Sequence, residues 1–502
     1  MPDLLSNLMM GFGVALTWQN IGLCFLGCLI GTAIGVLPGI GPLTTMALIL
    51  PVTFWLTPVG AVIMLSGVFY GAQYGGSTTA ILVKIPGETS SVVTMLDGHA
   101  LAQRGRAGPA LAIAALGSLF AGSVVTLLIA VGGPPLARVA LLFQSADYVS
   151  VMILGLVSAV VLAHGSVIKA VGMIVLGVMF GVVGTDISTG EFRLTMGLDI
   201  LYDGIGFVPL SMGLFGLAEI MVNLESATFA SLSAKPVSGL LPTRTDLREA
   251  LPAMVRGTAI GAVFGILPGG GPTIAAFSAY TLEKKVSRNP EKFGKGAIEG
   301  VAAPESANNA AAQASFIPML SLGIPPNALM ALMIGAMMVH GIAPGPDIIT
   351  KQPVLFWGLI ASMWIGNLML VILNLPLIGI WVRLLQVPYV YLFPTILILC
   401  CVGTYALNSS TGDVLVMTVF GIIGYAFRKL DCEPAPLLLG LVLGPMLEEN
   451  FRRALVLSEG DATVFLREPI SAAFLAIAAM ILVLASLPLL RRKRVVVLSE
   501  TD

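Results

Sequence analysis

Two short polar segments interrupt long apolar stretches of this sequence. Residues 75–80 read GGSTTA and residues 305–310 read ESANNA. Ser, Thr and Asn side chains offer hydrogen-bond donors and acceptors without burying a permanent charge. Such groups can bind a carboxylate, and their oxygens suit a hard cation such as Na⁺. The candidate binding residues in these segments are Ser77, Thr78, Thr79, Asn308 and Asn309.

Glu305 is the only charged side chain between Glu299 and Asp347. A carboxylate in such apolar surroundings is costly and often functional. Glu305 could therefore bind a cation or carry a proton. The alternative is a residue at the start of a helix, following Pro304 at a membrane face and stabilised by the helix dipole.

A Gly/Pro motif occurs twice, as GVLPGIGP at residues 35–42 and GILPGGGP at residues 265–272. Proline cannot continue a helical hydrogen-bond ladder, and glycine tolerates a positive φ, so a helix should break at each motif. The N-terminus of the next helix would then present backbone N–H groups to an anion. The candidate residues for backbone access are Gly39, Gly41, Gly269 and Gly271.

The composition indicates that these elements lie in a membrane. Of 502 residues, 57% are hydrophobic and 11% are charged, whereas soluble domains carry about 25% charged residues. No Asp, Glu, Lys or Arg occurs from residue 4 to residue 83. The sequence therefore predicts an all-α polytopic membrane protein with about 10–13 membrane segments. The net charge of −1 does not indicate nucleic-acid binding.

The two halves of the chain align at a separation of 230 residues. Gly27, Gly31, Gly35 and Gly39 fall on Gly257, Gly261, Gly265 and Gly269, and each set forms a stripe that allows close helix packing. The same separation pairs Thr78 and Thr79 with Asn308 and Asn309. We therefore predict a first repeat at 1–221, a polar connector at 222–250, a second repeat at 251–490 and a basic tail at 491–502.

Charge patterning favours inverted repeats with broken or re-entrant helices. The linker from Pro51 to Pro58 is uncharged, whereas the matching stretch, residues 284–295, is rich in lysine. Under the positive-inside rule, the two linkers then lie on opposite faces of the membrane. The run from Arg491 to Arg494 directly follows the last apolar segment and predicts a cytoplasmic C-terminus.

Two other groups of residues are given structural interpretations. The triplet Asp97-Gly98-His99 is read as a polar turn in a loop. Cys24 and Cys28, which lie one turn apart in an apolar helix, are interpreted as small packing residues rather than as metal ligands or disulfide partners.

The longest motifs resemble the large membrane subunit of tripartite tricarboxylate transporters, the TctA family. They are GVLPGIGP, YGGSTTAILVKIPGE, GILPGGGP, APESANNAAAQASFIPMLSLGIP and LLLGLVLGPMLEENFRRAL. The resemblance implies a bacterial inner-membrane protein that works with a small four-helix membrane subunit and a periplasmic solute-binding protein. It also implies carboxylate import driven by an ion gradient.

These observations predict a secondary active carboxylate transporter that works by alternating access. The Thr and Asn content favours Na⁺ over H⁺, with Na⁺ bound near Thr78, Thr79, Asn308 and Asn309. No other cofactor is expected, and the motifs leave open which carboxylate is carried. The alternatives are a passive anion channel and an intramembrane enzyme. The sequence contains neither an H-E-x-x-H motif nor a G-x-x-x-x-G-K-[ST] phosphate loop.

Overall fold

The computed structural model describes residues 4–37, 41–162, 166–186, 189–225, 237, 239–267, 269, 271–384 and 389–486. Gly39 and the basic tail 491–502 lie outside these residues. The described chain is almost entirely helical, with one two-residue strand pair, β1 (Gly184–Thr185) and β2 (Phe192–Arg193), which run antiparallel.

The first twelve helices are α1 (Leu4–Ala15), α2 (Trp18–Val36), α3 (Pro42–Thr53), α4 (Pro58–Val83), α5 (Val92–Gln103), α6 (Ala107–Ala140), α7 (Ser145–Leu162), α8 (Val167–Gly181), α9 (Phe207–Ser211), α10 (Ala218–Glu225), α11 (Arg244–Ile266) and α12 (Gly271–Val286). A π-helical turn at Met212–Leu217 joins α9 to α10. Short 3₁₀ turns lie at Thr89–Ser91, Asp199–Leu201 and Pro290–Lys292.

The remaining helices are α13 (Glu299–Ala314), α14 (Phe316–Leu322), α15 (Ala328–Val339), α16 (Ile348–Lys351), α17 (Pro353–Asn374), α18 (Ile378–Leu384), α19 (Tyr389–Asn408), α20 (Thr411–Lys429), α21 (Pro434–Leu457), α22 (Val464–Arg467) and α23 (Pro469–Ser486).

Six helical segments of the described chain are long and apolar enough to cross a membrane: 18–36, 107–140, 207–225, 244–266, 353–374 and 411–429. Several shorter helices are also apolar, including α3, α8 and α15. Many large apolar side chains on the outer faces are exposed, as expected for helices that face lipid. The predicted all-α polytopic fold is confirmed, whereas the number of membrane segments and the repeats stay predictions.

The helices group into two compact units. The first combines Met1–Arg138 with Gly206–Ala426, and the second combines Val139–Ile205 with Phe427–Asp502. The second unit is built around α8 and α21. The two helices are in close contact at Gly177, where a Cβ atom would overlap the backbone of Leu437. Every predicted site residue that the structure describes belongs to the first unit.

Within the first unit, α2 and α4 are in backbone contact along the predicted glycine stripe. A Cβ atom at Gly27, Gly31 or Gly35 would overlap the carbonyl oxygens of Met64, Val68 and Ala72, respectively. The stripe therefore has a packing role, because only glycine allows the two helix axes to come this close.

The same contact recurs between α11 and α13. A Cβ atom at Gly257, Gly261 or Gly265 would overlap the carbonyl oxygens of Ala303, Ala307 and Ala311, respectively. Both predicted stripes thus fix a pair of closely packed helices, and each pair joins a helix that ends at a Gly/Pro motif to a helix that carries a polar segment.

The packing register corrects one prediction from the sequence. The matched glycines are 230 residues apart, but their contacts Ala72 and Ala311 are 239 residues apart. The helix ends agree with the larger separation, because Lys84 and Gly323 end α4 and α14 in the left-handed region, at φ 60° and 73°. The pairing of Thr78 and Thr79 with Asn308 and Asn309 is therefore wrong. In the packing register these polar residues occupy different levels of the two helices.

We predict that Gly31→Ala destabilises the protein, because the added methyl group must displace the backbone of α4 at Val68. Overpacking of this kind costs about 1–3 kcal/mol. The matched control is Gly22→Ala on the same helix, where a Cβ atom would meet no atom within 4 Å. Thermal unfolding in detergent should give a lower midpoint for Gly31→Ala and no decrease for Gly22→Ala. Equal midpoints would contradict the packing role of the stripe.

Candidate functional site

The helix breaks at both Gly/Pro motifs, as predicted. The first break separates α2, which ends at Val36, from α3, which begins at Pro42. The second lies between α11, which ends at Ile266, and α12, which begins at Gly271. Gly41 precedes α3 without a side-chain cap, so the first backbone N–H groups of α3 have no capping acceptor there.

The glycines at the second break need their conformational freedom. Gly269 and Gly271 have φ values of 76° and 55°, which favour glycine. The Gly269 N–H donates a 2.7 Å hydrogen bond to the Pro326 carbonyl oxygen, so the motif is tied to the turn after α14. A Cβ atom at Gly41 or Gly271 would meet nothing within 4 Å, which leaves space beside both helix starts.

Glu305 lies inside α13 and is 1% exposed, which excludes the alternative that placed it at a membrane face. Its two carboxylate oxygens accept hydrogen bonds from two hydroxyl groups of the first half of the chain. The Ser77 Oγ donates across 2.7 Å and the Thr94 Oγ1 across 2.5 Å. Glu305 therefore joins α13 to α4 and to α5.

The other predicted hydroxyl and amide donors bond to nearby groups. Thr78 donates to the Tyr74 carbonyl oxygen and Thr79 to the Gly76 carbonyl oxygen, within their own helix. The Asn309 Nδ2 donates to the Ser118 Oγ at 2.7 Å and to the Glu305 carbonyl oxygen at 3.1 Å. The hydroxyl protons of the two threonines are thus already used, but their oxygens can still act as acceptors.

Asn308 differs from the other predicted residues because it is 0% exposed and neither its Nδ2 nor its Oδ1 makes a hydrogen bond of good geometry in the described chain, although Glu88 is within reach. Its side chain lies next to the partly buried carboxyl group of Glu88. Leaving a buried polar group without a partner costs about 1–3 kcal/mol. Such a group in a fold this tightly packed points to a binding role.

Glu88 belongs to the turn after α4 and extends the polar cluster. The Ser90 Oγ contacts both the Glu88 Oε1, at 2.7 Å, and the Gln73 Oε1, at 3.2 Å. Since a hydroxyl group has one proton, it can satisfy only one of these two oxygens fully. Ser90 therefore joins Glu88 to Gln73 of α4.

A small cavity of ≈ 10 Å³ lies beside Glu305, about the space that one water molecule needs. Its polar lining comes from four helices, and it includes two of the predicted residues besides Glu305 itself. The polar lining residues are Tyr74, Ser77, Thr78, Ser118, Glu305 and Asn374.

Asp97 is not in a loop, which corrects the interpretation of its triplet. It lies in α5 and is 0% exposed. Its Oδ1 accepts hydrogen bonds from the backbone N–H groups of Gly296 and Ala297, at 2.7 and 2.8 Å, and its Oδ2 accepts one from the Tyr280 hydroxyl at 2.9 Å. Asp97 therefore anchors α5 to α12 and to the chain just before α13.

The helices that follow the two breaks contact the opposite half of the chain. Helix α3 packs against α15, and α12 packs against α5 and the 3₁₀ turn at Thr89–Ser91. The Thr273 and Thr89 hydroxyl oxygens lie 2.8 Å apart at this second contact. Each of these two helices thus contacts the helix that follows the turn of the other half, α15 or α5.

The structure brings some predicted residues together and leaves others apart. Ser77, Thr78, Glu305 and Asn309 share one polar cluster around the cavity, and Asn308 faces Glu88 at its edge. No hydrogen bond between described residues joins Gly41, Gly269 or Gly271 to this cluster.

Sequence reasoning missed seven residues of the cluster: Gln73, Tyr74, Glu88, Ser90, Thr94, Ser118 and Asn374. Glu88 could have been found, because its carboxyl group directly follows the Ile85-Pro86-Gly87 turn. The others carry no local signal, since a single Gln, Tyr, Ser, Thr or Asn in apolar sequence is common.

Broken helices packed around a buried polar cluster, in a chain with several apolar spans, define a polytopic membrane protein with an internal polar site. The chain belongs to the tripartite tricarboxylate transporter TctA family, whose model matches residues 21–439. This membership confirms the resemblance drawn from the motifs.

Two similar proteins come from Agrobacterium vitis. The uncharacterized 52.8 kDa protein in the TAR-I ttuC' 3' region is 55% identical over 502 residues, which is 100% of both chains. The uncharacterized protein in the TAR-II ttuC' 3' region is 58% identical over 242 residues, covering 48% of this chain and 100% of that protein. No solved structure matches the chain.

We predict that Asp97→Ala lowers stability strongly, because three buried donors lose their acceptors at once. Each such loss costs about 1–3 kcal/mol. Asp97→Asn should retain most of the stability, since an amide oxygen can accept the two backbone N–H bonds and its NH₂ group can donate to Tyr280. The thermal unfolding midpoints of both variants should be compared with that of Tyr280→Phe, which removes only one donor. A midpoint for Asp97→Ala equal to the wild-type value would contradict the anchoring role.

Proposed function

We propose that the chain is the large membrane subunit of a binding-protein-dependent secondary active transporter that imports tricarboxylates or related carboxylates. Its partners are a small four-helix membrane subunit and a periplasmic solute-binding protein. The protein lies in the bacterial inner membrane with its C-terminus in the cytoplasm. Family membership supports the transporter class and the tricarboxylate connection.

One observation carries the proposal of a carrier. Each Gly/Pro motif breaks a helix, and the helix after each break packs against a helix of the other half: α3 against α15, and α12 against α5. Interrupted helices at matching positions of a repeat are a mark of carrier binding sites. These contacts between each broken helix and the opposite half support inverted repeats. Relative motion of the two repeats would then give alternating access.

The proposed carboxylate site uses backbone N–H groups at the starts of α3 and α12. Gly41 and Gly271 have open space beside them, and the partial positive charge of a helix N-terminus favours an anion. In this proposal the negative charge of the carboxylate is balanced by the dipoles of α3 and α12 and by a cation, because the predicted Ser, Thr and Asn side chains are neutral. The coupling cation in this proposal is Na⁺ rather than H⁺.

The alternative functions are a passive anion channel and an intramembrane enzyme. A channel needs a continuous pore, whereas α4 and α13, which carry the polar segments, are buried along almost their whole length. The described residues include no group of three or more His, Cys, Asp or Glu side chains that could hold a catalytic metal ion. The carrier is therefore the proposal that these observations favour.

The test is uptake of radiolabelled citrate into proteoliposomes that contain this chain, its small partner subunit and the binding protein. We expect uptake that requires both the binding protein and an inward Na⁺ gradient. Uptake at channel rates without either would contradict the carrier. If citrate is not taken up, other di- and tricarboxylates should be tried, and no uptake of any of them would contradict the proposed function.

We predict that Asn308→Ala reduces initial uptake at least tenfold while membrane insertion is unchanged, because Asn308 is a fully buried amide at the edge of the polar cluster without a hydrogen bond of good geometry in the described chain. The matched control is Asn408→Ala, the same substitution at an exposed position. Thr78→Ala should also reduce uptake, since Thr78 lines the cavity. Wild-type uptake in both site variants would contradict the binding role of these residues.

A further inference from the structure

We propose that the small cavity beside Glu305 is a Na⁺ site, with Glu305 as the charge partner and Asn374 and Tyr74 as ligands beyond the predicted ones. The proposal rests on the proposed function, because it identifies where the coupling cation binds. The proposed site differs from the one predicted near the threonine and asparagine pairs. It lies in a cavity lined by α4, α6, α13 and α17.

The first argument is the charge of Glu305. Both of its carboxylate oxygens accept bonds from hydroxyl groups, and no Lys, Arg or His side chain of the described residues forms an ion pair with it. An ionised carboxylate buried without a cationic partner is strongly unfavourable. Glu88, which interacts with Glu305 electrostatically, is also acidic and adds to this negative potential. A bound cation removes this cost.

The second argument is the acceptor atoms that line the same cavity. The Asn374 Nδ2 donates to the Leu370 carbonyl oxygen at 2.9 Å, which fixes the amide, while its Oδ1 has no hydrogen-bond partner in the described chain. The Tyr74 hydroxyl, also buried, makes no hydrogen bond of good geometry there, although the Ser118 hydroxyl is within reach. Both residues line the cavity next to Glu305. Two oxygens with free lone pairs beside a carboxylate are suited to a hard cation.

The remaining polar lining also presents oxygen rather than N–H groups. Ser77, Thr78 and Ser118 each direct their hydroxyl proton to a backbone carbonyl oxygen or to Glu305, so their free lone pairs can point elsewhere. Oxygen ligands without sulfur or imidazole favour Na⁺ over transition metals.

The size of the cavity separates this site from the carboxylate site. A space of ≈ 10 Å³ accommodates one dehydrated ion but not a tricarboxylate. The lining also has a net negative charge, which repels a carboxylate substrate. The cation therefore binds inside the helix packing, where its presence can stabilise the contacts between α4 and α13 that Glu305 makes.

The test measures Na⁺ binding by the purified full chain without any carboxylate. Thermal unfolding is followed while NaCl replaces choline chloride at constant ionic strength, with KCl as a second series. A ligand that binds only the folded protein raises the unfolding midpoint in a saturable way. We expect saturable stabilisation by Na⁺ that K⁺ does not reproduce, and at least a tenfold rise in the half-saturating Na⁺ concentration for Glu305→Gln and for Asn374→Leu.

Two matched controls lie on the same helices. Glu299→Gln on α13 makes the same substitution outside the cavity, and Asn367→Leu on α17 removes another buried amide that does not line it. Both should keep the wild-type half-saturating concentration. If Glu305→Gln does not fold, Asn374→Leu and the comparison of Na⁺ with K⁺ decide the question.

Three results would overturn the site: equal stabilisation by Na⁺ and K⁺, an unchanged half-saturating concentration in the cavity variants, or stabilisation by lower pH with no response to Na⁺, which would identify a proton site. The assay is independent of transport. Failure of carboxylate uptake would contradict the proposed function, whereas only the Na⁺ titration can contradict the site.

Discussion

The fold of the first unit depends on backbone contact between α2 and α4 and between α11 and α13. Glycines line one face of α2 and one face of α11 and allow α4 and α13 to pack against them. Helix α4 is buried from Gly60 to Leu82, and α13 is buried from Gly300 to Ala314. Polar side chains on these two helices cannot reach water. They must bond to their own backbone, to each other, or to a ligand.

This constraint accounts for the composition of the polar cluster. Hydroxyl groups dominate because each can return its proton to a backbone carbonyl oxygen one turn earlier and still present a lone pair. Ser77 and Thr94 both donate to the carboxylate of Glu305 and offset part of the cost of its burial. The Asn308 amide group and the Asn374 Oδ1 make no hydrogen bond of good geometry in the described chain. Buried polar atoms of this kind lower stability and are expected at functional sites.

Local features of the fold could be predicted from the sequence, and long-range ones could not. The breaks near Pro42 and Gly271 follow from proline and glycine chemistry, and the stripes follow from four-residue spacing. The alignment of polar segments failed because the connection between α12 and α13, residues 287–298, is longer than residues 54–57 between α3 and α4. Asp97 was misread because a short polar triplet looks like a turn until its distant partners are known.

The Asp97 anchor has a consequence for the order in which the chain can assemble. Its partners Tyr280, Gly296 and Ala297 are synthesised almost 200 residues after it. Until then the Asp97 carboxylate of α5 lacks its hydrogen-bond donors, so α5 cannot pack in its final position during synthesis of the first half. The final packing of α5 therefore waits for α12 and the start of α13, and a ribosome-bound chain that stops before them cannot complete the polar cluster.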